Sequence, residues 1–118
     1  MFFSLFGNTK RISDIKQASK LDAAANAAAA ITVSAVVDAR HVLSKVYWSY
    51  SAGPTGGKLT ITGGPNNFEV DITTGGPGAF TFSPYICSVN TALVATITAG
   101  GAGITGKLNI EYTTEAFR

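Results

Sequence analysis

The stretch NTALVATITAGGAGITGKLNIEYT, residues 90–113, decides the fold class of this chain. Apolar residues occupy every second position of its two arms: Leu93, Ala95 and Ile97 in the first, and Leu108, Ile110 and Tyr112 in the second. A period of two with polar residues between is typical of a half-buried antiparallel strand. The glycines of residues 99–103 provide the positive φ angles of a reversing chain. The stretch therefore predicts a long β-hairpin.

The same alternation runs upstream of this stretch as far as residue 31. Further strand-like segments, separated by glycine- and proline-rich turns, lie at residues 31–37, 41–51, 58–62, 68–72 and 79–82. Seven or eight short strands at about this spacing predict an all-β fold, an antiparallel sandwich or barrel. Within residues 41–51 the alternation places Val42, Ser44, Val46, Trp48 and Tyr50 on one face. We expect Val46, Trp48, Leu108 and Ile110 in the core.

Residues 1–30 differ in composition from residues 31–118, which predicts an N-terminal arm followed by one β-sandwich domain. Phe2, Phe3, Leu5 and Phe6 form an apolar tip, followed by Lys10 and Arg11. Helix-forming residues dominate from Ile12 to Ala30, so we expect the arm to be partly helical. Four large apolar side chains at the chain end are predicted to bind a partner, with Lys10 and Arg11 adding polar contacts. The β domain is expected to fold without residues 1–30.

Charge and hydropathy exclude several kinds of partner. The formal net charge of +2 resides in residues 1–30, and residues 31–118 carry five basic and five acidic side chains. This balance predicts no nucleic-acid-binding surface on the β domain. The order of apolar and basic residues at the start does not fit a secretory signal, and the alanine-rich stretch of residues 23–37 is too weakly apolar for a membrane span. Only 14% of the residues are charged, so we expect much of the surface to be covered in a homo-oligomer, most simply a trimer.

Candidate metal, redox and stacking residues are few. The carboxylates of Asp38, Glu69 and Asp71 could meet around a cation, although Glu69 and Asp71 also fit a solvated strand face. His41 is the only histidine and Cys87 the only cysteine, so neither a histidine pair for a metal nor an internal disulfide is possible. We expect Cys87 to pack rather than react. The aromatic residues 47, 48 and 50 could stack on a sugar or a base, but on so apolar a strand a core role is commoner.

One motif resembles a phosphate-binding loop. Residues 101–107, GAGITGK, satisfy its first seven positions, but Leu108 follows where a serine or threonine would hold magnesium. A helix must also leave the loop, whereas this segment continues as an alternating strand. A glycine-rich turn with an outward Lys107 is the favoured interpretation. The sequence predicts no catalytic residues, no cofactor and no metal.

The region 31–118 resembles small β-sandwich proteins encoded by tailed bacteriophages and prophages. The resemblance is carried by ITVSAVVDARHVLSKVYWSYSAGPTGGKLTI, by FEVDITTGGPGAFTFSP and by the opening stretch. In such proteins an Arg-His pair, here Arg40-His41, opens a long strand, a GGxLTI strand follows, and an NTAL hairpin closes the domain. The resemblance implies a jelly-roll-like, oligomeric virion component, commonly a decoration or cement protein, without catalytic residues.

Together these observations favour a non-enzymatic structural protein on the surface of a phage head. Its expected partners are the major capsid protein or another virion protein, and other copies of itself. The alternative is a receptor- or carbohydrate-binding module of a spike, fibre or tail. That alternative predicts aromatic residues in the loops, but the loops at 52–57, 63–67 and 74–78 contain none and Tyr85 is the one candidate.

Overall fold

The structure, a computed structural model, describes residues 17–116, and these form eight β-strands and no helix. The strands are β1 (Gln17–Asp22), β2 (Ala29–Val33), β3 (Ala39–Tyr50), β4 (Gly57–Thr62), β5 (Phe68–Ile72), β6 (Gly76–Ile86), β7 (Leu93–Ile97) and β8 (Gly106–Ala116). The all-β prediction is confirmed. Nothing in residues 17–116 is a helix long and apolar enough to cross a membrane.

The strands form two four-stranded antiparallel sheets, in the orders β1-β8-β3-β6 and β2-β7-β4-β5. We call them the β3 sheet and the β4 sheet. Successive strands change sheet throughout, except that β4 and β5 are paired neighbours. Eight strands in two sheets with this alternation are a jelly roll. The predicted sandwich is therefore confirmed, and the strand order now completes it.

The predicted hairpin of residues 90–113 is wrong in one respect, because its arms belong to different sheets. β7 pairs with β2 and β4, whereas β8 pairs with β1 and β3. The joint between Ile97 and Gly106 is long enough to cross the gap of about 10 Å between packed sheets. The Tyr50 hydroxyl holds this joint by donating a hydrogen bond of 2.7 Å to the Thr98 carbonyl. The inward faces of both arms are as predicted, since Leu93, Ala95, Ile97, Leu108 and Ile110 are all buried.

The sequence predicts correctly which residues of β3 face the core only in the second half of the strand, from Val46 to Tyr50. A register shift between Leu43 and Lys45, seen against both neighbouring strands, moves the alternation by one position. An extra residue on one strand of a pair has this effect. Leu43 is consequently buried, while Val42 and Ser44 are only half-buried. Trp48 is also half-buried, packed against the core rather than within it.

The predicted helix over residues 12–30 is wrong for the residues that the structure describes. Residues 17–22 are β1, which pairs along β8 with Ser19 opposite Ile110 and Leu21 opposite Leu108. Ala29 is fully buried at the start of β2. Pairing with the edge of β8 outweighs helix propensity, which is a weak preference in a short segment. The predicted boundary at residue 30 therefore falls inside β2, and residues 17–30 belong to the sandwich.

The core lies between the two sheets and is almost entirely aliphatic. Its largest buried apolar side chains are Leu43, Val46, Leu59, Ile61, Leu93, Ile97, Leu108 and Ile110. On one side of the sandwich the backbones of β1 and β2 approach each other, whereas those of β5 and β6 on the other side do not. The sandwich is consequently open along β5 and β6.

Candidate interaction surface

The predicted partner-binding residues Phe2, Phe3, Leu5, Phe6, Lys10 and Arg11 lie outside the described residues. The structure does show where this segment joins the sandwich. Gln17 lies opposite Tyr112 on β8, and β8 continues from there along the beginning of β3. The N-terminal segment thus leaves from the β1 edge of the β3 sheet, at the end where β3 begins.

The stretch that resembles a phosphate-binding loop lies in the joint between the two sheets. Residues 101–105 are a loop, and Gly106 and Lys107 open strand β8. Gly106 is buried where a side chain would meet Ile97 and Tyr50, and Lys107 is exposed. The preferred interpretation, a glycine-rich turn with an outward lysine, is confirmed.

His41 is a buried structural residue at the start of β3. Its side chain is 1% exposed, and both ring nitrogens have partners. Nε2 lies 2.8 Å from the Ser34 carbonyl, so it donates, and Nδ1 accepts from the Thr114 hydroxyl at 2.9 Å. The Tyr112 ring packs edge-on against the imidazole with centroids 5.9 Å apart. His41 therefore fastens the turn after β2 to the end of β8.

The charged candidates do not form a site. Arg40, which opens β3 beside His41 as predicted, makes a hydrogen-bonded ion pair of 2.9 Å with Glu115 on β8. Asp38 lies in the turn before β3, while Glu69 and Asp71 are exposed on β5. Within residues 17–116 no three histidine, cysteine, aspartate or glutamate side chains are grouped so that they could hold a metal ion. The suggestion that Asp38, Glu69 and Asp71 meet around a cation is therefore wrong.

Cys87 is a packed thiol, as the sequence predicted. It is 2% exposed, and its backbone N–H donates to the His41 carbonyl at 2.9 Å. Burial raises the pKa of the thiol from its ordinary value of 9.0 to about 11. A thiol held in its protonated form is a poor nucleophile.

The strongest candidate for interaction is the open side of the sandwich. Phe68 on β5 and Phe80 and Phe82 on β6 form a triangle of rings with centroids 4.9–5.0 Å apart. The Tyr85 ring continues the group, 5.7 Å from Phe82. A groove of about 320 Å³ runs along these four rings and is bordered by Asn66, Asn67, Thr81, Ser83 and Pro84. We call this surface the aromatic cleft.

The aromatic cleft exists because inward-facing residues of two edge strands lack a cover. Phe80 lies opposite the buried Val46 of β3, so it points to the inner side of the sheet, yet it is 41% exposed. Val70 on β5, opposite the buried Leu59, is 37% exposed for the same reason. β5 and β6 each have a strand neighbour on one side only among the described residues. Such an edge offers apolar contacts together with backbone hydrogen-bonding groups.

Tyr85 fixes the loop that borders the aromatic cleft. Its hydroxyl donates to the Asn66 carbonyl at 2.8 Å and accepts from the Gly64 N–H at 3.1 Å. Burial raises the pKa of Tyr85, and the hydrogen bond from Gly64 partly opposes that rise. The surface is thus built in advance rather than formed by a loose loop.

A second aromatic surface lies on the outer face of the β3 sheet, around Tyr47. The Tyr47 hydroxyl donates to Glu111 at 3.0 Å, and the Lys45 ammonium lies 5.1 Å from the ring centroid. Shallow grooves flank the ring, one beside Lys20 and Asn109 and the other beside Trp48 and Pro77. The Tyr47 ring is already engaged by Lys45 and Glu111, so this face is the weaker candidate.

Sequence reasoning did not identify the aromatic cleft. Phe68, Phe80 and Phe82 were expected only as strand residues, because nothing local shows that the two sheets separate here. The one signal was the FTFSPY run of residues 80–85, which has three aromatic residues, with Pro77 shortly before it and Pro84 within it. Prolines favour edge strands, since an edge strand has a side with no ladder hydrogen bond to lose.

Comparisons with known proteins show the fold. No protein-family model matches the chain, and none of the curated proteins searched matches its sequence. A structure described under "Bacillus endospore appendages form a novel family of disulfide-linked pili" is similar with a TM-score of 0.55 and 15% identity, over 100% of both chains. A structure from the acid-stable capsid of Helicobacter pylori bacteriophage KHP30 is similar with a TM-score of 0.52 and 10% identity, over 89% of this chain and 92% of the other.

A weaker likeness is to the virus-like particle of the extra small virus of the prawn Macrobrachium rosenbergii. The TM-score is 0.40 and the identity 9%, over 100% of this chain and 85% of that one. At this TM-score the likeness supports no argument. At identities of 15% and 10%, the first two structures establish a shared fold and nothing about function.

Proposed function

We propose that this chain is a non-enzymatic structural protein of a tailed-phage virion, a decoration or cement protein that binds and stabilises the head. The observation that carries the proposal is the aromatic cleft. Three phenylalanine rings on two edge strands are partly exposed where a compact jelly roll would cover them. An uncovered apolar surface of this kind supports a contact with another protein chain.

The fold supports the same class of function by analogy. Jelly rolls recur in viral capsid proteins, where two stacked sheets give a rigid block for assembly. Two of the similar structures with TM-scores above 0.5 are described as parts of assemblies, one a pilus and one a phage capsid. The proposed partners are the major capsid protein and further copies of this chain, and the proposed location is the outer surface of the head.

The N-terminal residues Phe2, Phe3, Leu5 and Phe6, with Lys10 and Arg11, remain a proposed contact with a protein partner. In the sequence they precede a sandwich whose first described strand begins at Gln17. Burying each of the four large apolar side chains would contribute about 1.5–3 kcal/mol. An exposed ion pair of Lys10 or Arg11 would add less than about 1 kcal/mol.

The test is binding of the full chain to phage particles that lack it. Purified heads and purified tails are incubated with the protein separately and then sedimented. We expect saturable binding to heads and none to tails. Binding to neither particle would contradict the proposal.

A carbohydrate- or receptor-binding role is the second candidate, and one observation favours it. Asn66 and Asn67 border the aromatic cleft, and aromatic rings beside amide groups suit a sugar. Binding to tails alone, with glycan binding that Phe80→Ala weakens, would favour this role over the first. Phe80→Ala is the informative change because Phe80 is the most exposed ring of the group.

A further inference from the structure

We propose that the aromatic cleft of one copy binds the N-terminal segment of the next copy, with Phe2, Phe3, Leu5 and Phe6 placed on Phe68, Phe80 and Phe82. This names the partner of the N-terminal segment, and it rests on the proposed role as an assembly subunit. The segment and the cleft are both parts of this chain, and the cleft is an apolar surface without a cover in the described residues.

The first argument is the match of polarity. None of the residues lining the aromatic cleft is charged. Residues 1–9, MFFSLFGNT, carry no charged side chain either, and five of the first six are apolar. Phe2 and Phe6 alternate with Phe3 and Leu5, so an extended segment would be apolar on both faces. That is the pattern of a strand covered on both faces, as a segment between β5 and β6 would be.

The second argument is the charge beside these two surfaces. Lys10 and Arg11 follow the uncharged residues directly. Glu69 and Asp71 lie exposed on β5, on the outer face of the β4 sheet rather than in the aromatic cleft, and Glu69 is 3.9 Å from the Lys58 ammonium. A segment that leaves the cleft over the edge of β5 would bring Lys10 and Arg11 towards these carboxylates, which favours one direction of the segment.

The third argument is where the segment leaves the sandwich. It joins β1, and β1 and β6 are the opposite edges of one sheet, separated by three strand spacings, or about 14 Å. We call the N-terminal segment the donor and the aromatic cleft the acceptor of this contact. A subunit with the donor at one edge of a sheet and the acceptor at the other makes head-to-tail contacts with its neighbours. Such contacts close into a ring when the rotation permits and otherwise extend into a filament. The predicted trimer would be one such ring.

The experiment uses two full-length variants, each of which loses one half of the contact. The donor variant is Phe2→Ser, Phe3→Ser, Leu5→Ser and Phe6→Ser together, and the acceptor variant is Phe80→Ser. The matched control is Val37→Ser, because Val37 is 81% exposed and lies in the turn before β3, outside the aromatic cleft. Circular dichroism, and slow labelling of the buried Cys87 by a thiol reagent, confirm that each variant is folded.

We expect the wild-type protein and the Val37→Ser control to self-associate in sedimentation velocity. Each of the other two variants should be monomeric, with the association constant lowered by at least about 30-fold, as for the truncation of an interface hot spot. A mixture of the two variants should form a heterodimer and nothing larger, because it retains one intact segment and one intact cleft per pair.

Three results would overturn the inference. A monomeric wild-type protein would show that the segment binds within its own chain or to a different protein. Self-association that survives both sets of substitutions would place the contact elsewhere. A mixture that stays monomeric would show that the segment and the cleft do not bind each other. None of these depends on particle binding, so the proposed function can fail or hold separately.

Discussion

Leu43 and Trp48 lie on the same strand and differ in burial. Leu43 is fully buried beside the register shift of β3, whereas Trp48 is half-buried. We expect Leu43→Ala to lower the free energy of unfolding by about 2–5 kcal/mol. Trp48→Ala should cost about 1–3 kcal/mol, less than the value for a fully buried indole. Urea denaturation measures the free energy of unfolding of both variants. A larger loss of stability for Trp48→Ala than for Leu43→Ala would contradict the prediction.

His41 offers a second prediction at this scale. Replacing it by alanine removes two part-buried hydrogen bonds, one to the Ser34 carbonyl and one with the Thr114 hydroxyl. Each lost hydrogen bond costs about 0.5–1.5 kcal/mol, and the lost volume of the buried imidazole adds to this. His41→Ala should therefore lower the free energy of unfolding by about 2–4 kcal/mol. The control Lys107→Ala, on an exposed side chain, should change it little. A loss no larger than that of the control would show that His41 is not a structural link.

The raised pKa of the Cys87 thiol should make the free energy of unfolding depend on pH in the alkaline range. Burial raises the pKa of the folded thiol to about 11 from an ordinary 9.0, so the unfolded chain loses this proton first as pH rises. The contribution to stability is complete below about pH 9 and is lost as pH rises towards 11. Between those values the wild type should lose more stability than Cys87→Ala. Parallel pH profiles of the two proteins would contradict this.

At the residue scale, alternation in the sequence predicted burial well except where the backbone departs from a regular strand. Leu93, Ile97, Leu108 and Ile110 were assigned correctly because β7 and β8 are regular. Leu43 was assigned to the wrong face because a bulge depends on two neighbouring strands. No local residue pattern distinguishes such a strand from a regular one.

At the scale of elements, β1 is the clearest difference between sequence and structure. Its sequence, QASKLD, has helix-forming residues and little apolar content, and its burial is low. It is a strand because its backbone pairs with the edge of β8. The separation of β7 from β8 has the same origin, since the choice of strand partner depends on residues far away in the sequence. Strand positions are therefore readable here, but their pairing is not.

Truncation tests the place of β1. The sequence suggested that the β domain folds without residues 1–30, and the structure changes this expectation. A chain that starts at Gln17 should retain the stability of the full chain. A chain that starts at Ala30 loses all of β1 and the buried Ala29, which should cost about 3–6 kcal/mol in backbone hydrogen bonds alone.

Because small domains are stable by only about 5–15 kcal/mol, the shorter chain should be marginal or unfolded. Chemical denaturation followed by circular dichroism compares the two chains. Equal denaturation midpoints for the two chains would show that β1 contributes nothing to the stability of the sandwich. Residues 17–22 would then count as part of the N-terminal segment.

At the scale of the whole molecule, the proposed role in assembly rests on the open side of the sandwich. The jelly roll is closed by β1 and β2 on one side and open on the other, where the aromatic cleft lies. The role that sparse charge and the phage resemblance suggest stays a prediction, whereas the all-β class was readable from strand spacing. The cleft was not, because its rings come from two sheets whose separation no local pattern records.

The position of the chain in the virion tests the central claim most directly. If the proposed function holds, electron cryomicroscopy of purified virions that carry this chain should show eight-stranded jelly-roll density on the outer surface of the head, at symmetry-related positions, in contact with the major capsid protein. Density of this shape confined to the tail, or its absence from the purified virion, would contradict the claim.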